Sequence, residues 1–143
     1  MGRISENNAA KELYLRRFNN RVEHALNVVG AHMVGKAAHY CPVKTSNLVN
    51  SLNYATSKEQ GALHGSKTNG TPLEKAIEDK TAKIGTNVKY AARVEFGFSG
   101  QDSLGRSFNQ PGTPFLRAAF LSHKSDIGKI FAQAMKDYDV SMS

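Results

Sequence analysis

The chain has 143 residues, 40% of them hydrophobic, with 7 Phe, 5 Tyr and no Trp, enough for one domain with a modest core. Its 19 Lys and Arg against 12 Asp and Glu give a formal charge of +7, which attracts polyanions at low salt, but the basic residues are spread along the chain and specify no polyanion. No run approaches the roughly 20 apolar residues of a membrane span; no secretory signal or myristoylation site is expected at Met1–Glu6, and the single Cys41 excludes an internal disulfide and suits a reducing cytoplasm.

Residues 1–7 are polar and expected to be loose. From Asn8 to Tyr40 the pattern is helical: Leu15, Phe18, Val22, Ala25, Val29 and Met33 recur at spacings of three and four, with Leu26 and Ala37 widening the stripe. Lys11, Arg16, Arg17, Asn20, Glu23 and Asn27 fall mainly on the remaining surface. A helix of some thirty residues is roughly 45–50 Å long, more than a small domain spans. Part of it is expected to overhang the body or pack on another subunit. Gly30 and Gly35 each weaken it by about 1 kcal/mol relative to Ala, and mark either tolerated positions or a bend or close contact. Pro42 ends the helix, because the residue before proline avoids the helical region. Cys41–Thr45 reads as a turn, with Cys41 a small apolar filler. Thr45 or Ser46 is placed to cap a short helix through Leu52.

Leu52–Ser57 alternates and reads as a strand. Residues 58–72, with Gly61, Gly65 and Gly70, read as a loop or hairpin arm. Thr71-Pro72-Leu73-Glu74 has the form of a capping box and predicts a short helix to about Asp79. Thr81–Gly85 returns as a strand. Lys83–Gly97 then reads as a strand end, a tight turn at Gly85, two helical turns capped by Thr86 or Asn87, and a stop at Gly97. Glu95 falls in the last turn of that helix, where the dipole disfavours a negative charge. A cationic partner is expected for it. Phe98–Gly112 is rich in Gly, Ser and Asn and predicts a long loop; Phe98, Leu104 and Phe108 either pack back on the domain or dock a partner. Thr113 as cap and Pro114 at the first helical position open a last helix to about Tyr138, with Ser125, Asp126 and Gly128 as points of interruption. Residues 139–143 are expected to fray.

Three segments carry a resemblance. Ile84-Gly85-Thr86 with Tyr90-Ala91 and Val94-Glu95-Phe96-Gly97, followed by Pro114-Phe115-Leu116-Arg117-Ala118-Ala119 and preceded by Ala38, Pro42 and Thr45–Ser51, resemble the tail-completion proteins of long-tailed double-stranded DNA phages. These are also called neck, head–tail joining or minor tail proteins. Ser46 stands where that family tends to have glycine, and Asn50 interrupts its basic-polar stretch. The resemblance covers roughly residues 10–135 and implies a structural virion protein at the head–tail interface, assembled in host cytoplasm. Its partners would be further copies of itself in a ring, other phage tail and head-connector proteins, and DNA passing through the neck, with no membrane. A tail terminator or minor capsid-associated protein is the neighbouring alternative, and a basic nucleic-acid-binding module the alternative of another class.

No catalytic, metal or cofactor site is expected. His24, His32 and His39 are separated by about 12 and 10 Å along a helix axis, too far for one ion. Gly97-Phe98-Ser99-Gly100 lacks the glycine spacing of a nucleophile elbow, and no phosphate-cradling glycine motif occurs. Glu74, Glu78 and Asp79 read as a solvated acidic surface. The residues singled out instead as subunit or partner contacts are Tyr90, Arg93, Glu95, Phe96, Phe98, Leu104, Phe108 and Arg117, with Glu95 and Arg117 as a charge pair inside the chain or between subunits. Pro42, Thr45, Gly85, Asn87, Gly97, Thr113 and Pro114 are assigned to turns and caps. These elements combine into an α+β fold: a long N-terminal helix and a C-terminal helix packed on a small, mostly antiparallel sheet, all within one domain.

Overall fold

The computed structural model describes residues 2–42, 46–62, 72–101 and 103–138. Its architecture is α+β, in the order α1 (Gly2–Tyr40), α2 (Ser46–Ser51), β1 (Asn53–Ala55), β2 (Gln60–Ala62), β3 (Lys83–Gly85), α3 (Ala91–Phe96), β4 (Gly97–Gln101), β5 (Ser107–Pro111) and α4 (Phe115–Asp137). Two antiparallel sheets form, one of three strands in the order β2-β1-β3 and one a hairpin of β4 and β5.

The apolar stripe of α1 explains its placement. Val22, Ala25, Val29, Met33, Val34 and Ala37 are buried, at the three- and four-residue spacing of one helix face. α1 packs chiefly against α4. The two run antiparallel, since the rings of His24 and Tyr138 lie 5.2 Å apart at one end and those of Tyr40 and His123 6.2 Å apart at the other. Leu48, Leu52 and Phe115 are fully buried and close the core. Cys41 is buried as a filler, and burial pushes its thiol above the ordinary value.

With 39 residues, α1 is about 58 Å long, whereas α4 accompanies it only from about His24 onward. The expected overhang is therefore present. Residues 7–12 and 14–18 are exposed, and Leu15 and Phe18 do not join the core stripe to which their spacing assigns them. Glu23, expected on the surface, is buried. Its carboxylate accepts the Thr56 hydroxyl, and Asn27 Nδ2 donates to its Oε1 at 3.4 Å and to its backbone carbonyl at 3.0 Å.

The three-stranded sheet lies against α1 through Tyr54, whose ring rests on Gly30 and on Gly61. A Cβ at either glycine would come within 2.6 Å of that ring. Gly30 is thus a close contact and Gly35, with nothing within 4 Å, a tolerated position. Gly85 is no turn: it is the last residue of β3, paired with Asn53. Buried Asn53 also fixes the segment that precedes β3, donating to the Ser51 and Gly85 carbonyls at 2.9 and 3.4 Å and accepting the Leu73 N–H at 2.9 Å.

Two predicted elements differ. Residues 72–79 form no helix, because their backbone is engaged elsewhere: Leu73 N–H by Asn53, and Ala76 N–H by the Thr56 carbonyl at 2.9 Å. Phe98–Gly112 is a hairpin rather than a loop, in register from Gly97 opposite Pro111 to Gln101 opposite Ser107. α4 runs uninterrupted through Ser125, Asp126 and Gly128. Thr45, Thr71 and the greater part of the 58–72 arm lie outside the described residues.

Gly30→Ala is expected to destabilise the fold by about 1–3 kcal/mol through collision with Tyr54, although Ala is the better helix former. Gly35→Ala, with open space around it, is expected to gain about 0.5–1 kcal/mol. Urea unfolding of the two variants checks the opposite signs.

Candidate functional site: the joint at the base of the hairpin arm

The residues singled out as contacts lie at a joint between α3, the β4–β5 arm and α4. α3 starts later than its sequence suggests. Thr86 Oγ1 accepts the Val88 N–H at 3.1 Å, a turn two residues long that precedes the helix rather than capping it. Thr86 also shares a 2.6 Å hydroxyl contact with Ser51, whose Oγ donates to the Leu48 carbonyl at 2.6 Å. Asn87 Nδ2 donates to the Pro72 carbonyl at 3.0 Å. Tyr90 is the residue before the helix, without a side-chain cap. Its ring packs on the core, and its hydroxyl accepts from Asn47 Nδ2 at 3.4 Å.

At the other end of α3, Gly97 stops the helix at φ 82° and ψ 178°, a backbone state favouring glycine. A Cβ on Gly97 would lie 2.6 Å from the Gln110 carbonyl oxygen, and one on Gly112 2.6 Å from the Phe96 carbonyl carbon. The outgoing and returning strands of the arm therefore meet in backbone contact.

Glu95 closes this joint. It is 8% exposed, and its carboxylate accepts the backbone N–H of Leu116 at 3.0 Å and of Arg117 at 3.1 Å. The cationic side-chain partner expected for Glu95 is replaced by the N-terminus of α4, whose unpaired N–H groups and positive dipole end favour an anion. Arg117 contributes its peptide N–H to Glu95, while its side chain is exposed. Pro114, not Thr113, takes the cap position of α4, without a side-chain bond; Thr113 N–H donates to the Val94 carbonyl at 2.6 Å, and Phe115 N–H donates to the Thr113 carbonyl at 2.8 Å. Pro114 stands one position before the first helical residue. Pro42 comes after the end of α1 as expected.

The other singled-out residues lie along the arm. The Arg93 guanidinium sits 4.2 Å over the Phe98 ring, a cation–π contact tying the arm to α3. Phe96 is 72% and Leu104, at the hairpin turn, 75% exposed. Phe108 belongs to β5.

An apolar groove of about 540 Å³ lies between α1, β3 and the start of α4, lined by Leu26, Met33, Ile84, Leu116, Arg117 and Phe120. β3 is the edge of its sheet. Sequence reasoning missed this groove because its lining comes from three distant segments. Among the described residues, no group of three or more His, Cys, Asp or Glu is placed to hold a metal ion, and no helix is long and apolar enough to cross a membrane. No protein-family model, curated protein or solved structure matches this chain.

Glu95→Gln is expected to cost about 1–3 kcal/mol, since one charge-assisted acceptor is lost at a buried helix start. Arg117→Ala is expected to stay within about 0.5 kcal/mol. Thermal unfolding of both variants measures the contrast; an equal loss in Arg117→Ala would return the pairing to the side chains.

Proposed function

We propose that this chain is a structural virion subunit that completes a phage tail and joins it to the head, by association of copies around the tail axis. The support is twofold. Two of the segments resembling tail-completion proteins, residues 90–97 and 114–119, meet at one joint through the Glu95 carboxylate and the N–H groups of Leu116 and Arg117. The observation that carries the assembly reading is the exposed stretch of α1 over residues 7–18, where Tyr14 is 69% exposed and Leu15 and Phe18 are also exposed.

The apolar overhang and the projecting arm are unlike the apolar groove, and all three belong to one chain. Contacts between unlike surfaces are heterologous, and they close into rings when the rotation allows. A two-stranded hairpin is marginal by itself in water, so the arm gains order from any neighbour that covers it. The role is one of positioning and binding rather than of turnover.

In this reading, Tyr14→Ser with Phe18→Ser weakens self-association at least tenfold while leaving the melting temperature within a few degrees. Sedimentation at several concentrations and incorporation into particles measure it. A chain that stays monomeric at high concentration and is absent from purified particles sinks the proposal.

A further inference from the structure

A second recess, apart from the joint and its groove, lies where α1 and α4 meet through polar groups. His32, Gly35, Lys36 and His39 recur at the spacing of one helix face, and His123 of α4 stands opposite. With Tyr40 they line a recess of about 590 Å³. The rings of His32 and His123 are 6.1 Å apart, edge to face, and Tyr40 lies 6.2 Å from His123 and 5.3 Å from His39.

The chemistry of this lining is one-sided. It offers an ammonium, three imidazoles and a phenol. The facing carboxylate, Asp126, is engaged at 3.5 Å by His123 Nδ1, which leaves Nε2 of that ring for another partner. His32 Nε2 is buried and has no hydrogen-bond partner among the described residues. Burial, then the Lys36 ammonium, then His123 lower the His32 pKa, against a raising influence of Asp126. A buried ring nitrogen without a partner is costly, and the Lys36 ammonium beside it is a positive charge that a bound anion meets.

We propose that this recess binds a tetrahedral oxyanion, a phosphate group held by His32, Lys36 and His123. Lys36 supplies a fixed positive charge, and the His32 imidazole takes up a proton as the anion arrives. Linkage sets the sign: the anion favours the protonated His32 ring, so binding tightens as pH falls from 8 to 6, by up to roughly tenfold per pH unit for the proton taken up. The phosphate comes either from a free phosphate or phosphomonoester, or from the phosphodiester backbone of a nucleic acid. The recess stands independently of the assembly reading.

The test tracks the imidazole resonances of the full chain by NMR at constant ionic strength. Inorganic phosphate is the first probe; sulfate, whose charge is fixed between pH 6 and 8, carries the pH comparison. Saturable shifts at His32 and His123, tighter at pH 6, with Kd weakened at least fivefold in Lys36→Met and in His32→Asn, are expected. Both variants should retain the melting temperature of the parent to within a few degrees; Lys36→Met keeps the aliphatic stem and guards against a folding artefact. A short duplex DNA then distinguishes the sources. Displacement of phosphate from the same resonances assigns a polymer backbone, and no displacement assigns a free phosphate. Absence of saturable shifts, or shifts unchanged in both variants, overturns the proposal.

Discussion

The carboxylate of Glu95 at the N-terminus of α4 is the contact on which the arrangement of the second half of the chain depends. In the last turn of its own helix a negative charge is disfavoured, yet the same charge lies at the positive end of the next helix, where it is favoured. The two helix ends satisfy each other: the Val94 carbonyl receives the Thr113 N–H, and the Leu116 and Arg117 N–H groups reach Glu95. The partners are 21 and 22 residues apart in sequence. The hairpin is therefore an excursion that departs from and returns to one point, and the same contact seats fully buried Phe115, worth about 2–3 kcal/mol of apolar burial, at the start of α4.

Polar side chains have a comparable part around the three-stranded sheet. Asn53 and Thr56 are almost wholly buried, and each connects the β1 region to a segment far from it in sequence. Thr56 Oγ1 receives the N–H groups of Lys58 and Glu59 at 3.2 and 2.9 Å while its hydroxyl donates to Glu23 of α1. Truncating such a group leaves buried donors or acceptors without partners, which costs more than the bond itself contributes. Strands of three residues are too short to define their own edges. Side-chain bonds to Asn53 and Thr56 set where β1 begins and how the chain turns after it.

The long helices were legible in the sequence because burial of one face leaves a periodic record, and α1 and α4 have that record from Val22 to Ala37 and from Leu116 to Ala134. The strands β1 and β3 were legible within the longer segments 52–57 and 81–85. The hairpin was not. Among the described residues of the arm none is fully buried, so β4 and β5 need no apolar alternation, and their Gly, Ser and Asn content reads as loop. The available signal was Gly105, which adopts φ 77° near the hairpin turn. The helix expected at 72–79 failed for the converse reason: a good local pattern lost to tertiary bonds from Asn53 and Thr56. Glu95 was noticed as anomalous from its position alone, but its partner is peptide backbone, which no residue type announces.

The stripe on α1 also shows how periodicity overstates burial. Leu15 and Phe18 continue the pattern of Val22 and Val29 by spacing, yet α4 ends beside His24 and supplies nothing to cover them. A pattern of this kind records a face suited to burial; whether the cover belongs to the same chain is set by the length of the element opposite. Here α1 has 39 residues and α4 has 23, a difference of about 24 Å of helix. The apolar face continues past Val22 through Phe18, Leu15 and Tyr14. Each large side chain left there forgoes about 1.5–3 kcal/mol of burial, while those facing α4 obtain it within the chain. The unmatched length of α1 is consequently where a neighbouring surface has most to gain, and it is the geometric support for the proposed assembly.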